Sequence, residues 1–160
     1  MLSARLIQLI QTHAESLTQE TVDDVLTNEH TRSYGQFSQA ELHPRVLKLY
    51  SHLGTWIGNP NEGPVRQEYE ELGRVGHRRG IPLSEIIFTQ MIIKKHLRRY
   101  IRDHGLIAFS SDRIAPNEMI PFELYGIQEL NYLVGDFFDR ALYYLTRGYE
   151  AQSSVRHKAV

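Results

Sequence analysis

The eight histidines are the residues of this chain with the most versatile chemistry, because cysteine is absent. Histidine ligates haem and metal ions and moves protons near neutral pH. His96 and His104 lie eight residues apart in one predicted helix, and His77 lies in the helix before it. Together with Tyr100 they predict a pocket for a small molecule, or for haem held by one imidazole. The alternative is that each ring is satisfied by hydrogen bonds to its own neighbours.

Metal and catalytic motifs are missing from the sequence. A di-iron bundle needs Glu-x-x-His pairs on two helices, and the chain contains no such pair. No two histidines have the i, i+4 spacing of a helical zinc site. The chain also lacks a glycine-rich phosphate loop, a Gly-x-Ser-x-Gly elbow and a recognisable pair of carboxylates. We therefore expect no metal site, no catalytic residue and no enzyme activity.

A basic stripe follows the helix that carries His96. Its members recur at steps of one and four residues, which keeps them on one side: Lys94, Lys95, Arg98, Arg99 and Arg102. This stripe predicts a surface for an acidic partner or for phosphate groups. Nucleic acid is not expected, because the net charge is -1 and no helix-turn-helix spacing is present. The alternative is a solvated face whose charges pair with acids such as Glu68, Glu70 and Glu71.

The last predicted helix combines a long apolar stripe with an aromatic-rich end. The stripe recurs at steps of three and four residues: Ile127, Leu130, Val134, Phe137, Ala141 and Leu145. Large rings flank it, so we expect one face to fill the core and the neighbouring face to meet a partner. We predict a homodimer whose dimer and relay surface has six members: Phe137, Phe138, Ala141, Tyr144, Leu145 and Tyr149. The alternative is that these side chains all belong to the core.

These residues must be positioned by helices, because apolar residues recur at helical spacing and strand signals are almost absent. The pattern predicts an all-α fold, one compact bundle of five or six helices, with a globin-like arrangement as one version of it. The expected helices cover 2–26 with a bend near 18–21, then 39–57, 65–79 and 83–104, and the last begins near 122 and ends around 148 or soon after. Loops are expected at 28–38 and at 110–121.

Capping signals locate several of the helix ends. Ser38 and Glu41 have the spacing of a capping box, and Pro44 is expected in the first turn of that helix. Gly80 and Gly105 are expected to end the third and fourth helices. Two further glycines of the third helix, at 73 and 76, weaken it in isolation but allow close approach of another helix.

The length and composition fit one domain, which we expect to cover 1–151. Residues 152–160 are expected to be a disordered tail or the start of a linker. A chain of 160 residues can enclose one hydrophobic core. No apolar run approaches the roughly 20 residues that span a bilayer, and the N-terminus lacks the pattern of a signal peptide. We therefore expect a cytoplasmic protein that does not contact a membrane.

Three segments carry a family resemblance. They are 50–56, Tyr-Ser-His-Leu-Gly-Thr-Trp; 71–87, Glu-Leu-Gly-Arg-Val-Gly-His-Arg-Arg-Gly-Ile-Pro-Leu-Ser-Glu-Ile-Ile; and 137–150, Phe-Phe-Asp-Arg-Ala-Leu-Tyr-Tyr-Leu-Thr-Arg-Gly-Tyr-Glu. In this order, along nearly the whole chain, they resemble the N-terminal domain of RsbRD-type stress-response regulators. The resemblance implies a helical sensory or regulatory input domain, commonly followed by an output domain such as an antagonist module or a histidine kinase. It also implies an architecture related to non-haem globin-like sensor domains, which dimerise through helices.

The sequence thus predicts a bacterial signal-transduction domain without enzyme activity. It is expected to dimerise and to relay a signal through its last helix to an output domain or partner protein. The alternative is a globin-like sensor with an internal pocket for haem or another small molecule. No cofactor is expected outside that alternative.

Overall fold

The fold is built from helices that differ greatly in length. A computed structural model describes residues 4–110 and 120–158, of which the side chains of 106–110, 120 and 156 are not described. The elements are α1 (Ala4–Thr12), α2 (Ala14–Thr27), a 3-10 helix (Glu29–Gln36), α3 (Gln39–Trp56), α4 (Gly63–Arg78), α5 (Leu83–Ser110) and α6 (Ile120–Lys158). These ranges contain no strand, so the predicted all-α fold is confirmed for them. A globin-like arrangement stays a prediction.

The first predicted helix is divided at His13 and not near 18–21, so that prediction is wrong. His13 leaves the helical conformation between α1 and α2, with φ -103° and ψ 16°. Thr18 and Thr21 are instead fully buried within α2. The Thr21 hydroxyl lies 2.8 Å from the Leu17 carbonyl, a bond within the helix, so this threonine does not interrupt it.

The segment predicted as a loop contains the 3-10 helix. Asn28 caps it, because its side-chain oxygen accepts the His30 N–H at 3.0 Å. The buried Thr31 hydroxyl donates to the Val25 carbonyl at 2.7 Å, which holds the segment against the end of α2. These hydrogen bonds come from polar side chains. The spacing of apolar residues therefore does not predict this 3-10 helix.

The start of α3 confirms the predicted capping box. The Glu41 N–H donates to the Ser38 hydroxyl at 3.2 Å, and the Ser38 N–H donates to the Glu41 carboxylate at 2.8 Å. Pro44 lies inside the helix, past the first turn where it was expected. Its missing N–H leaves the carbonyl of the exposed Ala40 open to water, which limits the cost.

The closest contact of the fold is the crossing of α4 and α6. A Cβ atom at Gly73 would overlap the Leu145 carbonyl oxygen, and one at Gly148 would overlap the Glu70 carbonyl oxygen. Only glycine therefore allows the two backbones to touch. The predicted close approach at position 73 is confirmed.

Glycines inside the two longest helices do not end them. The predicted end of the fourth helix at Gly105 is wrong, because α5 continues to Ser110. A Cβ at Gly105 would lie 2.8 Å from the Ile127 Cδ1, so this glycine makes room for α6.

The last helix continues past Gly148 to Lys158, so the predicted disorder is wrong for 152–158. That residues 152–158 begin a linker stays a prediction. Residues 159–160 lie outside the described residues, and so does the part of the predicted loop before α6 that covers 111–119. By contrast, Gly80 has φ 71° and follows α4 as predicted.

Tyr50 lies at the centre of the core, where α2, α3 and α5 meet. It is fully buried, and its hydroxyl donates to the Ile93 carbonyl at 3.0 Å. The same hydroxyl lies 2.8 Å from that of Thr21. Burial raises the pKa of the Tyr50 hydroxyl above its ordinary value. Among the described helices, none is both long enough and apolar enough to cross a membrane.

Candidate functional site

A cleft of about 670 Å³ opens between α3 and α4. The two helices make almost no close backbone contact, since α4 packs along α6 instead. The floor comes from α5 and includes Ile86, Gln90 and Ile93. One end is closed by the 3-10 helix and the residue after it, through Tyr34 and Phe37. The cleft is therefore surrounded by four elements and is open along the side where α3 and α4 face each other.

One ion pair crosses this open side. The Lys48 Nζ of α3 lies 2.7 Å from the Glu68 carboxylate of α4. Both side chains are about half exposed, so the pair contributes little to stability. Its position nevertheless lets it influence how far the two helices separate.

The walls of the cleft are mostly apolar and aromatic. The half furthest from Phe37 is lined by Leu49, Trp56, Tyr69 and Leu72. Trp56 stacks on Phe137 of α6 at 6.1 Å between ring centroids, and Tyr69 meets the same ring edge-on at 5.9 Å. These contacts fix the rings, so this half of the cleft is a pre-formed apolar surface.

A few polar groups interrupt the apolar floor. Gln90 is only 4% exposed, and its side-chain oxygen has no hydrogen-bond partner within the described residues. The neighbouring Thr89 hydroxyl is satisfied, because it donates to the Glu85 carbonyl at 2.9 Å. Burial raises the pKa of the Tyr34 hydroxyl at the closed end. The side-chain oxygen of Gln90 is thus a polar atom of the floor that can still accept a hydrogen bond.

Positive charge gathers at the closed end, around Phe37. The Arg45 guanidinium of α3 lies 5.7 Å from the centroid of this ring, and the Arg79 guanidinium after α4 lies 5.3 Å from it. Neither forms a salt bridge within the part of the chain that the structure describes. Arg45 lines the cleft, whereas Arg79 lies beside the same ring without lining the cleft. Both cations are therefore close to this end.

The residues predicted to form a histidine pocket do not meet in one place, so that prediction is wrong. His77 lies on α4 with its ring edge-on to Tyr149, at 4.8 Å between centroids. His104 is exposed on α5 and stacks on Tyr100 at 4.2 Å. None of the four lines the cleft. The sequence pattern placed the histidines on inner helix faces, but it did not show that those faces pack against different helices.

His96 has a structural partner on α2. Its Nε2 lies 2.8 Å from the Asp24 carboxylate, and the Lys95 Nζ lies 3.0 Å from the same oxygen. Burial raises the pKa of Asp24, but hydrogen bonds from Asn28 and from both α5 side chains outweigh it and lower the pKa to about 2. At its Nε2, His96 therefore matches the alternative stated above, in which the ring is hydrogen-bonded to a polar neighbour.

Four of the six predicted dimer residues are fully enclosed by the domain itself: Phe137, Phe138, Ala141 and Leu145. Their predicted role as a partner surface is wrong, because α4 and the core cover both flanks of this part of α6. Tyr144 donates its hydroxyl to Glu62, and Tyr149 donates its own to the Ile81 carbonyl at 3.0 Å. The segment thus attaches α6 to the start and the end of α4.

The exposed aromatic side chains of α6 are different ones. Tyr125, Tyr132 and Tyr143 are 60%, 74% and 58% exposed. Their spacings of seven and eleven residues place them on one face of the helix. Sequence reasoning considered Tyr143 only as part of the aromatic end of the helix and passed over Tyr125 and Tyr132. Their polar surroundings, with Asp136 and Asp139 on the same side, were the available signal.

The basic stripe lies on the outside of α5 and is only partly paired. Lys95 binds Asp24, and the Arg102 Nε lies 2.8 Å from Asp103. The alternative of a solvated face paired with Glu68, Glu70, Glu71 or other acids fits these two pairs, but the acids are not those of α4, which bind Lys48 and arginines of α4. Three members have no ion pair within the described residues: Lys94, Arg98 and Arg99. A partner of the stripe stays a prediction.

No group of three or more histidine, aspartate and glutamate side chains in the described ranges could hold a metal ion. The cleft is the candidate site, as a place for binding. No family model, curated protein or solved structure matches this chain.

Proposed function

We propose that this chain is a sensory input domain of a signalling protein, in which a small molecule binds in the α3–α4 cleft and repositions α4 together with α6. The observation that carries the proposal is the contrast between the two sides of α4. One side touches the backbone of α6, and the other lines a cleft of about 670 Å³. The resemblance to RsbRD-type domains supports the same class of function, in a bacterial stress pathway and without enzyme activity.

The cleft has the properties of a small-molecule site. Its volume falls within the range of roughly 300 to 1,000 Å³ that is usual for ligand pockets. Most of its wall area is apolar, while Thr89 and Gln90 interrupt the floor and charged or polar side chains such as Lys48, Gln67 and Glu68 stand on the sides. Such a surface binds through burial of apolar area, and the few polar groups select and orient the ligand.

The attachment of α4 to α6 supplies the relay. Glu62, just before α4, binds both Tyr144 and Arg140 of α6. The glycine crossing joins the middle of the two helices, and Tyr149 bonds the Ile81 carbonyl beyond the end of α4. A ligand that changes the separation of α3 and α4 therefore moves a pair of helices, because a close-packed contact transmits displacement.

The last part of α6 is where we place the contact with an output domain or partner protein. The helix continues from Tyr149 to Lys158, and most of its described side chains there are exposed or half-buried. A displacement of the helix pair would be carried along this extension.

Binding can be followed with the protein's own fluorescence. Trp56 is the single tryptophan of the chain, and it lines the cleft. We expect its emission to change and saturate on titration with at least one of three ten-carbon probes: decanoate, decanol and decyltrimethylammonium. Val75→Phe, which fills the cleft from α4, should abolish the response. Thr55→Phe, an exposed position of α3, should leave it unchanged, and the absence of saturable binding by every probe would exclude the cleft as a ligand site.

The relay can be measured by distances between spin labels. The chain has no cysteine, so two introduced cysteines are labelled specifically. With labels at Thr55 of α3 and Glu150 of α6, we expect a bound ligand to shift the distance by roughly 2 Å. A control pair at Glu20 of α2 and Arg98 of α5 should not respond. If a probe binds saturably but the distance between the labels at Thr55 and Glu150 stays the same, the domain binds a ligand without this relay.

A homodimer is a second part of the proposal, and the exposed tyrosines of α6 favour it. We expect native mass spectrometry at high micromolar concentration to show a dimer that Tyr125→Asp with Tyr132→Asp dissociates. Met91→Asp, an equally exposed apolar position on α5, is the matched control. A monomeric native protein would exclude dimerisation through this face.

We do not propose haem as the ligand. His52 is the histidine that lines the cleft, and it is exposed, with its ring stacked on Trp56 at 5.8 Å. Its Nδ1 lies 2.8 Å from the Lys48 carbonyl. The site therefore favours an apolar molecule held by its walls over a macrocycle held by an axial imidazole.

A further inference from the structure

The shape of the cleft restricts its ligand to elongated molecules. Its lining residues on α3 run from Leu42 to Trp56, about 21 Å at a rise of 1.5 Å per residue. On α4 they run from Pro64 to Gly76, about 18 Å by the same measure. A volume of about 670 Å³ spread over this length describes a channel. A molecule that fills it must be long and narrow.

The two ends of the channel differ in chemistry. The far end is bounded by the rings of Trp56 and Tyr69, which are held by Phe137. The closed end has Arg45 in its lining, and the guanidinium groups of Arg45 and Arg79 both lie close to the Phe37 ring. A ligand aligned with the channel would place an apolar part at the first end and a charged part at the second.

Arg45 and Arg79 differ in their ion pairing from the arginines of α4 and α6 near the cleft. Those have carboxylate partners in the structure: Arg66, Arg74, Arg78 and Arg140. For Arg45 and Arg79, the described residues provide no salt bridge. Their guanidinium groups are therefore available to an anion.

The nearest acids do not neutralise this pair by direct contact. Glu41 influences both arginines through space, but its carboxylate accepts the Ser38 N–H of its own capping box at 2.8 Å. Glu85 accepts the Ser33 N–H at 2.8 Å. Both carboxylates thus have backbone partners, and the closed end retains two donors of charge-assisted hydrogen bonds.

The floor of the channel contains a second independent feature of a built site. Gln90 is 4% exposed, yet its side-chain oxygen lacks a partner within the described residues. A buried acceptor without a donor is unfavourable, so a bound molecule that supplies a donor at this point gains a hydrogen bond.

We propose that the cleft binds an elongated amphipathic anion, whose carboxylate or similar head lies at the Phe37 end, within the field of Arg45 and Arg79, and whose apolar body extends towards Trp56. This proposal rests on the proposed function, because it assigns the chemistry of the same cleft. Gln90 accepts a hydrogen bond from a donor on the body of the ligand or from a water that the ligand traps. Apolar burial provides most of the affinity, and the arginines select the charge.

The three ten-carbon probes test the selection, since they share a chain and differ in the head group. With Trp56 emission as the readout, we expect decanoate to bind at least tenfold more tightly than decanol. Decyltrimethylammonium should bind least, because its cation would meet the two guanidinium groups. The double variant Arg45→Gln with Arg79→Gln should weaken decanoate at least tenfold and leave decanol unchanged.

Arg98→Gln is the matched control, because it removes an exposed arginine of α5 outside the cleft. Circular dichroism and the affinity for decanol show whether each variant keeps its fold and its channel. If decanol binds as tightly as decanoate, and Val75→Phe abolishes both, the anion proposal is overturned while the ligand-binding cleft stands. If none of the probes binds, the proposed function itself fails.

Discussion

The backbone of Gly73 in α4 lies directly against the carbonyl of Leu145 in α6, with no room for a methyl group between them. This contact decides where the cleft forms. Because α4 is drawn onto α6, its opposite side stands away from α3. The site and the relay that we propose thus both originate in one crossing of two helices.

The first prediction concerns that crossing. Gly73→Ala should lower the free energy of unfolding by about 2 kcal/mol, because overpacking against a backbone outweighs the better helix propensity of alanine. Chemical denaturation measures the change. Gly135→Ala in α6 is the matched control, since a Cβ there meets nothing within 4 Å. The control should raise the free energy of unfolding by roughly 0.5 to 1 kcal/mol, and an equal gain for both variants would contradict the close contact.

The second prediction concerns pH and Asp24. The folded pKa is lowered from 3.8 to about 2, so the charged form is favoured by folding. This contribution, about 2 kcal/mol, is fully present above pH 4 and is lost as the pH falls from 4 towards 2. Asp24→Asn should therefore destabilise the protein at pH 6 and much less at pH 2.

Denaturation at a series of pH values measures this difference. Asp23→Asn is the control, because its exposed carboxylate accepts only from the neutral amides of Gln19 and Gln39. A pH-independent difference between Asp24→Asn and the native protein would show that the ion pairs with Lys95 and His96 do not stabilise the fold.

The third prediction concerns the buried hydroxyl of Tyr50. Tyr50→Phe should lower the free energy of unfolding by about 1 to 3 kcal/mol, because the Ile93 carbonyl loses its side-chain donor and the Thr21 hydroxyl its neighbour. Tyr69→Phe offers a comparison, since the Tyr69 ring is equally enclosed but its hydroxyl makes no hydrogen bond within the described residues. Thermal and chemical denaturation should rank the first variant as the less stable one. The reverse ranking would argue against a polar link between α2, α3 and α5.

The fourth prediction concerns the ion pair across the open side of the cleft. Lys48→Ala should change the free energy of unfolding by less than about 1 kcal/mol, because the pair with Glu68 is half exposed. It should nevertheless speed the association of decanol, whose uncharged head is indifferent to the lost cation, since it removes a connection between α3 and α4. Stopped-flow measurement of Trp56 emission gives the rate.

Arg66→Ala is the control for this rate, because Arg66 binds Glu70 within α4 and does not cross the cleft. An unchanged association rate in Lys48→Ala, with intact affinity, would mean that the ligand enters by another route.

Local signals in the sequence predicted the helix ends that depend on neighbouring residues. Ser38 and Glu41 form their capping box within one turn, and Gly80 adopts its positive φ where the chain leaves α4. These features need only the few residues on either side. The same reasoning failed at Gly105, because it treated a glycine inside a helix as a stop, and it ended the last helix near Gly148, about ten residues too early. Both glycines meet another helix there, which is a contact with a residue distant in the sequence.

The aromatic segment of α6 shows the same division. Its periodicity correctly marked Phe137, Ala141 and Leu145 as one apolar face, but not what covers Phe138 beside it. Two adjacent rings on a helix point about 100° apart, so a second element is needed to bury both. That element is supplied by the packing of the domain, and no pattern within α6 reports it.

The sequence by itself determined the helical class, because the 3.6-residue period and the caps are properties of short segments. Only the tertiary structure decided that the histidines lie apart and that a channel lies between α3 and α4, with Arg45 in its lining and Arg79 close to one end. The physical reason is distance along the chain. Arg45 and Arg79 flank one ring from different elements, and Gly73 meets Leu145 from another helix. Such meetings depend on how all the helices share one core, and that arrangement is not encoded in any single segment.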